Sequence, residues 1–126
     1  MNPRQFRVYD KSVKRWLDIT HLLLHENRPI GATDTDGITH NLGSPYIELV
    51  ESIDTPDKDG NTLFLGDIVE ANTKKTLRYE RVRGTLTRVQ DIVVIMPAKQ
   101  LTADNFYPLY YLDLGSLEKV GDQFSN

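Results

Sequence analysis

Alternating apolar and polar positions recur in short runs along the chain and predict strands in preference to helices. Residues 5–8 alternate polar and apolar side chains, as a half-buried strand does, and residues 15–17 can return antiparallel beside them. Residues 92–96 are apolar at every position, which favours a central strand buried on both faces. Strand-sized runs separated by frequent turns are typical of a small barrel or a curled antiparallel sheet.

One segment, residues 18–26, is predicted to form a short helix. Its apolar positions cluster on one side, as in a helix that lies against a sheet: Ile19, Leu22, Leu23 and Leu24. Thr20 or Asp18 could cap its first turn, and Pro29 and Gly31 would end it. The predicted fold class is therefore α+β, dominated by strands, with one or two short helices.

Two Asp-x-Asp-Gly segments, Asp34–Gly37 and Asp57–Gly60, predict tight turns, because Asp-Gly readily takes the positive φ that such turns require. Both also resemble the start of a calcium loop, in which acidic side chains alternate along the chain. The sixth position of that loop must be glycine. It is Thr39 in the first segment and Thr62 in the second, so both are interpreted as turns.

Composition places the chain among ordinary soluble globular proteins. It has 126 residues, of which 39% are hydrophobic and 26% charged, and this suits one domain over residues 1–126. The absence of cysteine excludes a disulfide framework, a thiolate nucleophile and a cysteine-ligated metal. There is no apolar run long enough to span a membrane and no apolar core of a secretory signal, so an intracellular location without a membrane partner is expected.

Charge is unevenly distributed around a net charge of −3. Residues 17–70 carry eleven acids against two basic side chains, whereas residues 71–90 carry six basic side chains against one acid. On a hairpin over residues 74–88, with Tyr79 among them, the basic groups would offer a surface for nucleic acid or a partner protein. The alternative is a solvated hairpin whose charges prevent pairing at its edge. The residues concerned are Lys74, Lys75, Arg78, Arg81, Arg83 and Arg88.

A more specific prediction concerns which side chains of that hairpin lie on the same face of the strand. Side chains alternate along a strand, so Arg81 and Arg83 would share one face, and Arg78 and Glu80 the other.

Metal binding and catalysis find little support. His21 and His25 are four apart, a spacing that can place two imidazoles on one metal ion if the helix forms, and His40 or Glu26 could supply a third ligand. Such pairs also arise by chance on helix surfaces, so no metal site and no cofactor are predicted. The chain has neither a Gly-x-Ser-x-Gly elbow nor a glycine-rich phosphate loop, so we do not expect an enzyme.

Aromatic residues late in the chain have two interpretations. They could stack on bases or on a partner protein, but packing in the core is the expectation for Phe106, Tyr107, Tyr110 and Tyr111. For the same reason Trp16 is assigned to the core or to a subunit interface.

Three segments, in the right order, are similar to motifs of one protein family. Phe6–Lys11, followed by the basic pair before Trp16, is similar to an opening that reads Phe-Arg-Ala-Trp-Asp-Lys. Asp57–Val69 contains an Asp-x-x-Gly turn that leads into Gly-Asp-Ile-Val. Val120–Asn126 is similar to a closing Ile-Gly-Asn-Ile-Tyr-Glu-Asn. Together they resemble the YopX family of phage and prophage proteins, although residues 51–54 depart from the usual Tyr-Thr-Gly-Leu.

The resemblance implies a compact α+β protein built around a small SH3-like β-barrel and encoded by a phage or prophage. The location is then the cytoplasm of a bacterial host cell, and a homo-oligomer such as a ring would be consistent with it. The family has no assigned catalytic residues. We therefore expect a non-enzymatic accessory protein that acts by protein binding or self-assembly, with a nucleic-acid-binding module over residues 74–88 as the alternative.

Overall fold

Strands make up most of the protein in the computed structural model, which describes residues 6–74, 80–97 and 106–124. The chain divides into two compact units, Met1–Ser52 and Ile53–Asn126. Each unit contains one five-stranded sheet in which all neighbouring strands are antiparallel. The prediction of a β-dominated, antiparallel fold is therefore confirmed.

The first unit arranges its strands in the order β4-β3-β2-β1-β5. Four consecutive strands thus form a meander, and the fifth returns to lie beside the first. Val8 and Ala32 are fully buried, and the half-buried ring of Trp16 packs 4.9 Å from that of Tyr9. The strands are β1 (Phe6–Asp10), β2 (Arg15–His25), β3 (Arg28–Asp34), β4 (Thr39–Asn41) and β5 (Ile47–Glu51).

The second unit repeats this plan, with the order β10-β6-β7-β8-β9. Its strands are β6 (Asp67–Thr73), β7 (Arg81–Val89), β8 (Ile92–Met96), β9 (Tyr107–Pro108) and β10 (Leu112–Asp122). A 3₁₀ helix, Leu109–Tyr111, immediately precedes β10. Inward-facing side chains from four of the strands, together with the segment before β6, form the core: Ile53, Leu63, Val69, Ala71, Val82, Leu86, Ile95, Leu112 and Leu117.

The helix predicted over residues 18–26 is wrong, because most of this segment belongs to the eleven-residue strand β2. Asp18 pairs with Arg7 of β1, and Leu22 pairs with Ala32 of β3. The hairpin is closed by Glu26 and Asn27, whose φ angles are 51° and 63°, as a two-residue type I′ turn requires. Pairing on both sides of β2 outweighs its helix-like apolar spacing.

No α-helix occurs among the described residues, where the 3₁₀ turn is the one helical element. Accordingly, that part of the chain offers no helix with the length and apolar character needed to cross a membrane.

Gly84 of β7 allows the backbone of β8 to approach closely. A Cβ atom at this position would lie 2.7 Å from the carbonyl carbon of Met96. Because the obstacle is backbone, we expect Gly84→Ala to force β7 and β8 apart and to lower the free energy of unfolding by about 1–3 kcal/mol. Denaturant unfolding measures the change.

Gly115→Ala is the matched control for this substitution. A Cβ atom at position 115 would meet the Asp113 side chain at 3.4 Å, which is ordinary contact, so a change of no more than about 0.5 kcal/mol is expected. Equal losses in the two variants would contradict the close approach inferred at Gly84.

Candidate functional site

Four of the six predicted binding residues fall within the described chain: Lys74, Arg81, Arg83 and Arg88. Lys75 and Arg78 lie outside it. The structure does not place the four on one face. Side chains alternate along β7, and Arg88 is an odd number of positions from Arg81 and Arg83, so it lies on the opposite face of the strand. The basic hairpin therefore does not present a single uniform surface within the described residues.

Arg81 and Arg83 are both exposed and flank the buried Val82. The prediction that they share one face of the strand is confirmed. In the neighbouring strand β6, Asn72 lies opposite Arg81 and Glu70 lies opposite Arg83. The outer face of this sheet thus alternates basic side chains with an acid and an amide.

Acidic neighbours neutralise Arg81. Its Nη2 lies 2.9 Å from Oε1 of Glu118 and 3.9 Å from Oε2 of Glu70, and its Nη1 donates to Oδ1 of Asn72 at 3.3 Å. The other oxygen of Glu118 lies 2.6 Å from Nζ of Lys58, and Lys58 followed by Arg81 lowers the pKa of Glu118. Two cations and two carboxylates therefore form a balanced network.

A groove of about 310 Å³ opens beside the 3₁₀ helix. Leu112 is fully buried and forms its floor, whereas Tyr110 and Leu114 are 60% and 43% exposed and stand at its rim. The backbone N–H of Lys74 donates to the carbonyl oxygen of Tyr111 at 2.9 Å and holds one side of the groove in place. The full lining is Lys74, Leu109, Tyr110, Leu112, Asp113 and Leu114.

An interruption in β10 places Leu114 at this rim. Pairing of β10 with β6 is broken between Asp113 and Glu118, where Ser116 accepts the N–H of Asn72 at 2.8 Å and donates to the carbonyl oxygen of Asp113 at 2.6 Å. A serine hydroxyl thus replaces a backbone partner, and the chain bulges outward at Leu114.

The tyrosine pair at the groove contradicts the expectation that these rings lie in the core. Tyr111 is 42% exposed, less than Tyr110 but still well above a core residue. The two rings meet edge to face with 4.6 Å between centroids, and the hydrogen bond with Tyr111 raises the pKa of Tyr110. Tyr107, in contrast, is half-buried and packs against the core.

The two Asp-x-Asp-Gly segments form the predicted turns and share one hydrogen-bond pattern. Oδ1 of Asp34 accepts the N–H groups two and four residues later at 2.9 and 3.0 Å. Oδ1 of Asp57 does the same at 2.9 and 2.8 Å. Gly37 and Gly60 have φ angles of 81° and 82°. Each carboxylate is therefore occupied by its own turn.

The histidine arrangement differs from the one that metal binding would require. His21 and His25 lie on strand β2 instead of a helix, where residues four apart are separated by about 13 Å. Nε2 of His40 lies 2.7 Å from Oδ2 of Asp34. Within the described ranges, no three acidic or histidine side chains are grouped so that they could hold a metal ion.

A third carboxylate, Asp67, is buried with 2% of its side chain exposed. Its Oδ2 accepts the N–H of Phe64 at 2.8 Å, and its Oδ1 lies 3.3 Å from Nζ of Lys119. Burial raises the pKa of Asp67, and the facing carboxylate of Asp122 adds to this effect. The arrangement stabilises the turn at Gly66, whose φ is 98°.

Comparison with known proteins identifies the family of the chain. The family described as YopX protein matches residues 5–126. The chain belongs to the YopX family. The resemblance carried by its opening, central and closing motifs is thereby confirmed.

Among solved structures, the YopX-family chain is similar to protein EF1440 from Enterococcus faecalis. The two have a TM-score of 0.61 and 18% sequence identity, over 97% of this chain and 94% of the other. At that identity the similarity shows the fold alone. No curated protein matches the chain.

The buried turn carboxylates make the stability of this YopX-family chain depend on pH. The hydrogen bond with His40, and then the turn N–H groups, hold the pKa of Asp34 below 3.8. A carboxylate whose pKa is lower in the folded than in the unfolded state stabilises the folded protein at pH values above its unfolded-state pKa. This stabilisation is lost as the pH falls through the folded-state pKa. Asp67, whose pKa is raised, acts in the opposite direction.

We therefore expect Asp34→Asn to lose less stability than the wild type between pH 5 and pH 3, in thermal unfolding followed by circular dichroism. Asp36→Asn, in the same turn but exposed, serves as the control and should keep the wild-type pH dependence. The interpretation would be wrong if both variants flattened the pH profile equally.

Proposed function

We propose that this YopX-family chain is a non-enzymatic accessory protein, encoded by a phage or prophage, that acts in the bacterial cytoplasm by binding another protein or by self-assembly. The observation that carries the proposal is the exposed tyrosine pair beside the groove of the second unit. Large apolar surfaces that remain exposed next to a groove are characteristic of interaction sites.

The chemistry of the rim supports a protein ligand. Tyrosine is among the residue types that contribute most to binding energy at protein interfaces, because it combines a large apolar ring with a polar hydroxyl. Tyr110 and Leu114 would both lose water-exposed apolar surface to a ligand in the groove. Self-assembly would use the same physical driving force, with a second copy of the chain as the ligand.

The use of the buried carboxylates favours a non-enzymatic role. Catalytic acids and bases commonly face a cleft with one oxygen available to substrate. Here Asp34, Asp57 and Asp67 direct their oxygens to turn N–H groups, to His40 or to Lys119. Their bonding pattern is that of groups that stabilise turns.

We propose further that the second unit is an SH3-like barrel. Two features support this assignment: β6 lies between β7 and the final strand β10, and a 3₁₀ helix directly precedes that final strand. The groove would then lie beside β10, the final strand of the barrel. The first unit has the same strand order.

Quantitative affinity purification from cells that carry the phage or prophage tests protein binding. After nuclease treatment of the lysate, Tyr110→Ala should fail to retain at least one protein partner that the wild type retains, because the ring supplies contact area. Tyr46→Ala, which removes a tyrosine of matching exposure, 59%, from the first unit, should retain that partner. Light scattering on the purified chain and on both variants tests self-assembly.

The proposal would be wrong if Tyr110→Ala left every partner and the mass of the purified assembly unchanged. Because Tyr110 is exposed, the substitution is expected to leave the melting temperature close to that of the wild type.

Nucleic-acid binding through residues 74–88 is the second candidate function. It is favoured by the placement of Arg81 and Arg83 on one exposed face of β7. The pairing of Arg81 with Glu118 and Glu70 weakens the positive field of that face, so the second candidate ranks below protein binding.

Salt-dependent titration with single- and double-stranded DNA and RNA tests this second function. Binding through phosphates should weaken as salt rises, and Arg83→Ala should reduce the slope of log K against log salt by about 1. Arg28→Ala, an exposed arginine of the first unit, is the control and should leave the slope unchanged. Absence of binding at low salt would eliminate the second function.

A further inference from the structure

The hairpin of β2 and β3 extends beyond the strands on either side of it. β2 pairs with β1 only as far as Asp18, but it pairs with β3 as far as His25. β3 in turn pairs with β4 only over residues 31–33. We call residues 21–30 the β2–β3 arm. Within the described part of the chain, residues 21–25 of this arm have no strand beside them on the side away from β3.

The arm exposes aliphatic side chains on both of its faces. Leu23 and Leu24 are each 45% exposed, and Ile30 is 51% exposed. Side chains alternate along a strand, so Leu23 and Leu24 lie on opposite faces of the arm. A two-stranded hairpin is by itself only marginally stable in water. A further strand beside β2 would shield the leucines of both faces and would also extend the sheet.

The open edge of β2 lacks the features that prevent strands of different molecules from pairing. Proteins commonly protect such edges with charged side chains, with proline or with bulges. Residues 21–25 contain neither an acidic residue, nor lysine or arginine, nor proline. In the pairing with β3, one shift leaves out Thr20 of β2 and the other leaves out Ile30 of β3. β2 therefore runs without a bulge from His21 to His25.

The sequence of this edge reads the same in both directions. Residues 21–25 are His-Leu-Leu-Leu-His, a palindrome centred on Leu23. In an antiparallel pair of two such segments about a two-fold axis at Leu23, each residue lies opposite one of its own kind. Leu23 faces Leu23 of the second copy, Leu22 faces Leu24, and His21 faces His25. A lysine or a glutamate in the segment would bring like charges close together in this arrangement, and the segment has none.

We propose that residues 21–25 of β2 pair antiparallel with the same residues of a second copy of the chain, about a two-fold axis at Leu23. The contact is isologous, and it supplies backbone hydrogen-bond partners to both open edges. It joins two five-stranded sheets into one sheet of ten strands. The inference rests on the self-assembly part of the proposed function and assigns it to the first unit, apart from the groove.

The short length of the contact determines how strong the dimer should be. A strand from an unrelated protein could satisfy the same backbone groups, but the palindrome and the uncharged edge are the features that a two-fold pair requires. Five residues from each copy are fewer than the roughly 20–30 residues a side of a standard interface. We therefore expect a dissociable dimer whose population rises with protein concentration.

Sedimentation equilibrium of the purified full chain over a concentration series tests the dimer. The wild type should shift from monomer to dimer as its concentration rises. Leu23→Glu should weaken the dimer by about tenfold or more, because it places two carboxylates opposite each other at the axis. Ile38→Glu is the matched control and should dimerise like the wild type, because Ile38 is 57% exposed and lies between β3 and β4.

Cysteine variants test the register, since the chain has no cysteine of its own. Leu23→Cys should form a disulfide between two copies on mild oxidation, because directly opposite residues of an antiparallel pair lie within the reach of a disulfide. His21→Cys and His25→Cys should each fail to link alone, because each position lies about 13 Å along the strand from the same position in the second copy. A mixture of these two variants should link position 21 to position 25.

Three results would overturn the inference. A wild type that stays monomeric up to its solubility limit would do so and would leave binding of another protein at the groove untouched. A dimer that Tyr110→Ala disrupts and Leu23→Glu does not would move self-assembly to the groove. Linking of His21→Cys or His25→Cys by itself would contradict the two-fold register. Both histidines are exposed, so the mixture tests the pairing even if Leu23→Glu fails to fold.

Discussion

The place of the last strand in the second unit depends on the turn that begins at Asp57. The carboxylate of Asp57 accepts the N–H groups of its own turn. Beside it, the N–H of Lys58 donates to the carbonyl oxygen of Leu117 at 2.7 Å. One turn thereby occupies a backbone acceptor on the outer edge of the last strand, where unpaired backbone groups can attract another chain. With β10 held in this register, Glu118 reaches Arg81 and Lys119 reaches Asp67.

Local chemistry made part of this structure predictable. The Asp-x-Asp-Gly turns followed from Asp-Gly alone, because the bonds from the turn N–H groups to Oδ1 of each first aspartate lie within five residues. The shared face of Arg81 and Arg83 followed from strand alternation. The helix prediction for residues 18–26 is wrong because the leucines there have a spacing that suits a helix. The turn that makes the segment a strand uses Glu26 and Asn27 instead of glycine. Two non-glycine residues at positive φ leave no clear sequence signal.

The groove could not be predicted, because its parts are distant in sequence and depend on a long-range bond. Lys74 and Leu114 line the same groove, beside the bond in which Ser116 accepts the N–H of Asn72. Packing in the core is the common arrangement for aromatic residues around a strand, but Tyr110 and Tyr111 do not belong to one. They lie instead in a 3₁₀ helix, whose three-residue repeat leaves both Tyr110 and Tyr111 exposed.

The strand order common to both units has a consequence for synthesis of the chain. In each unit the first strand lies between the second and the fifth, so it acquires both neighbours only after the fifth has been made. The first sheet can be completed once residue 51 has left the ribosome, whereas β6 has an open edge until residues 112–122 emerge. A nascent chain thus passes through a stage with one finished sheet and one unfinished sheet, and in that interval a chaperone or a second nascent chain could pair with β6.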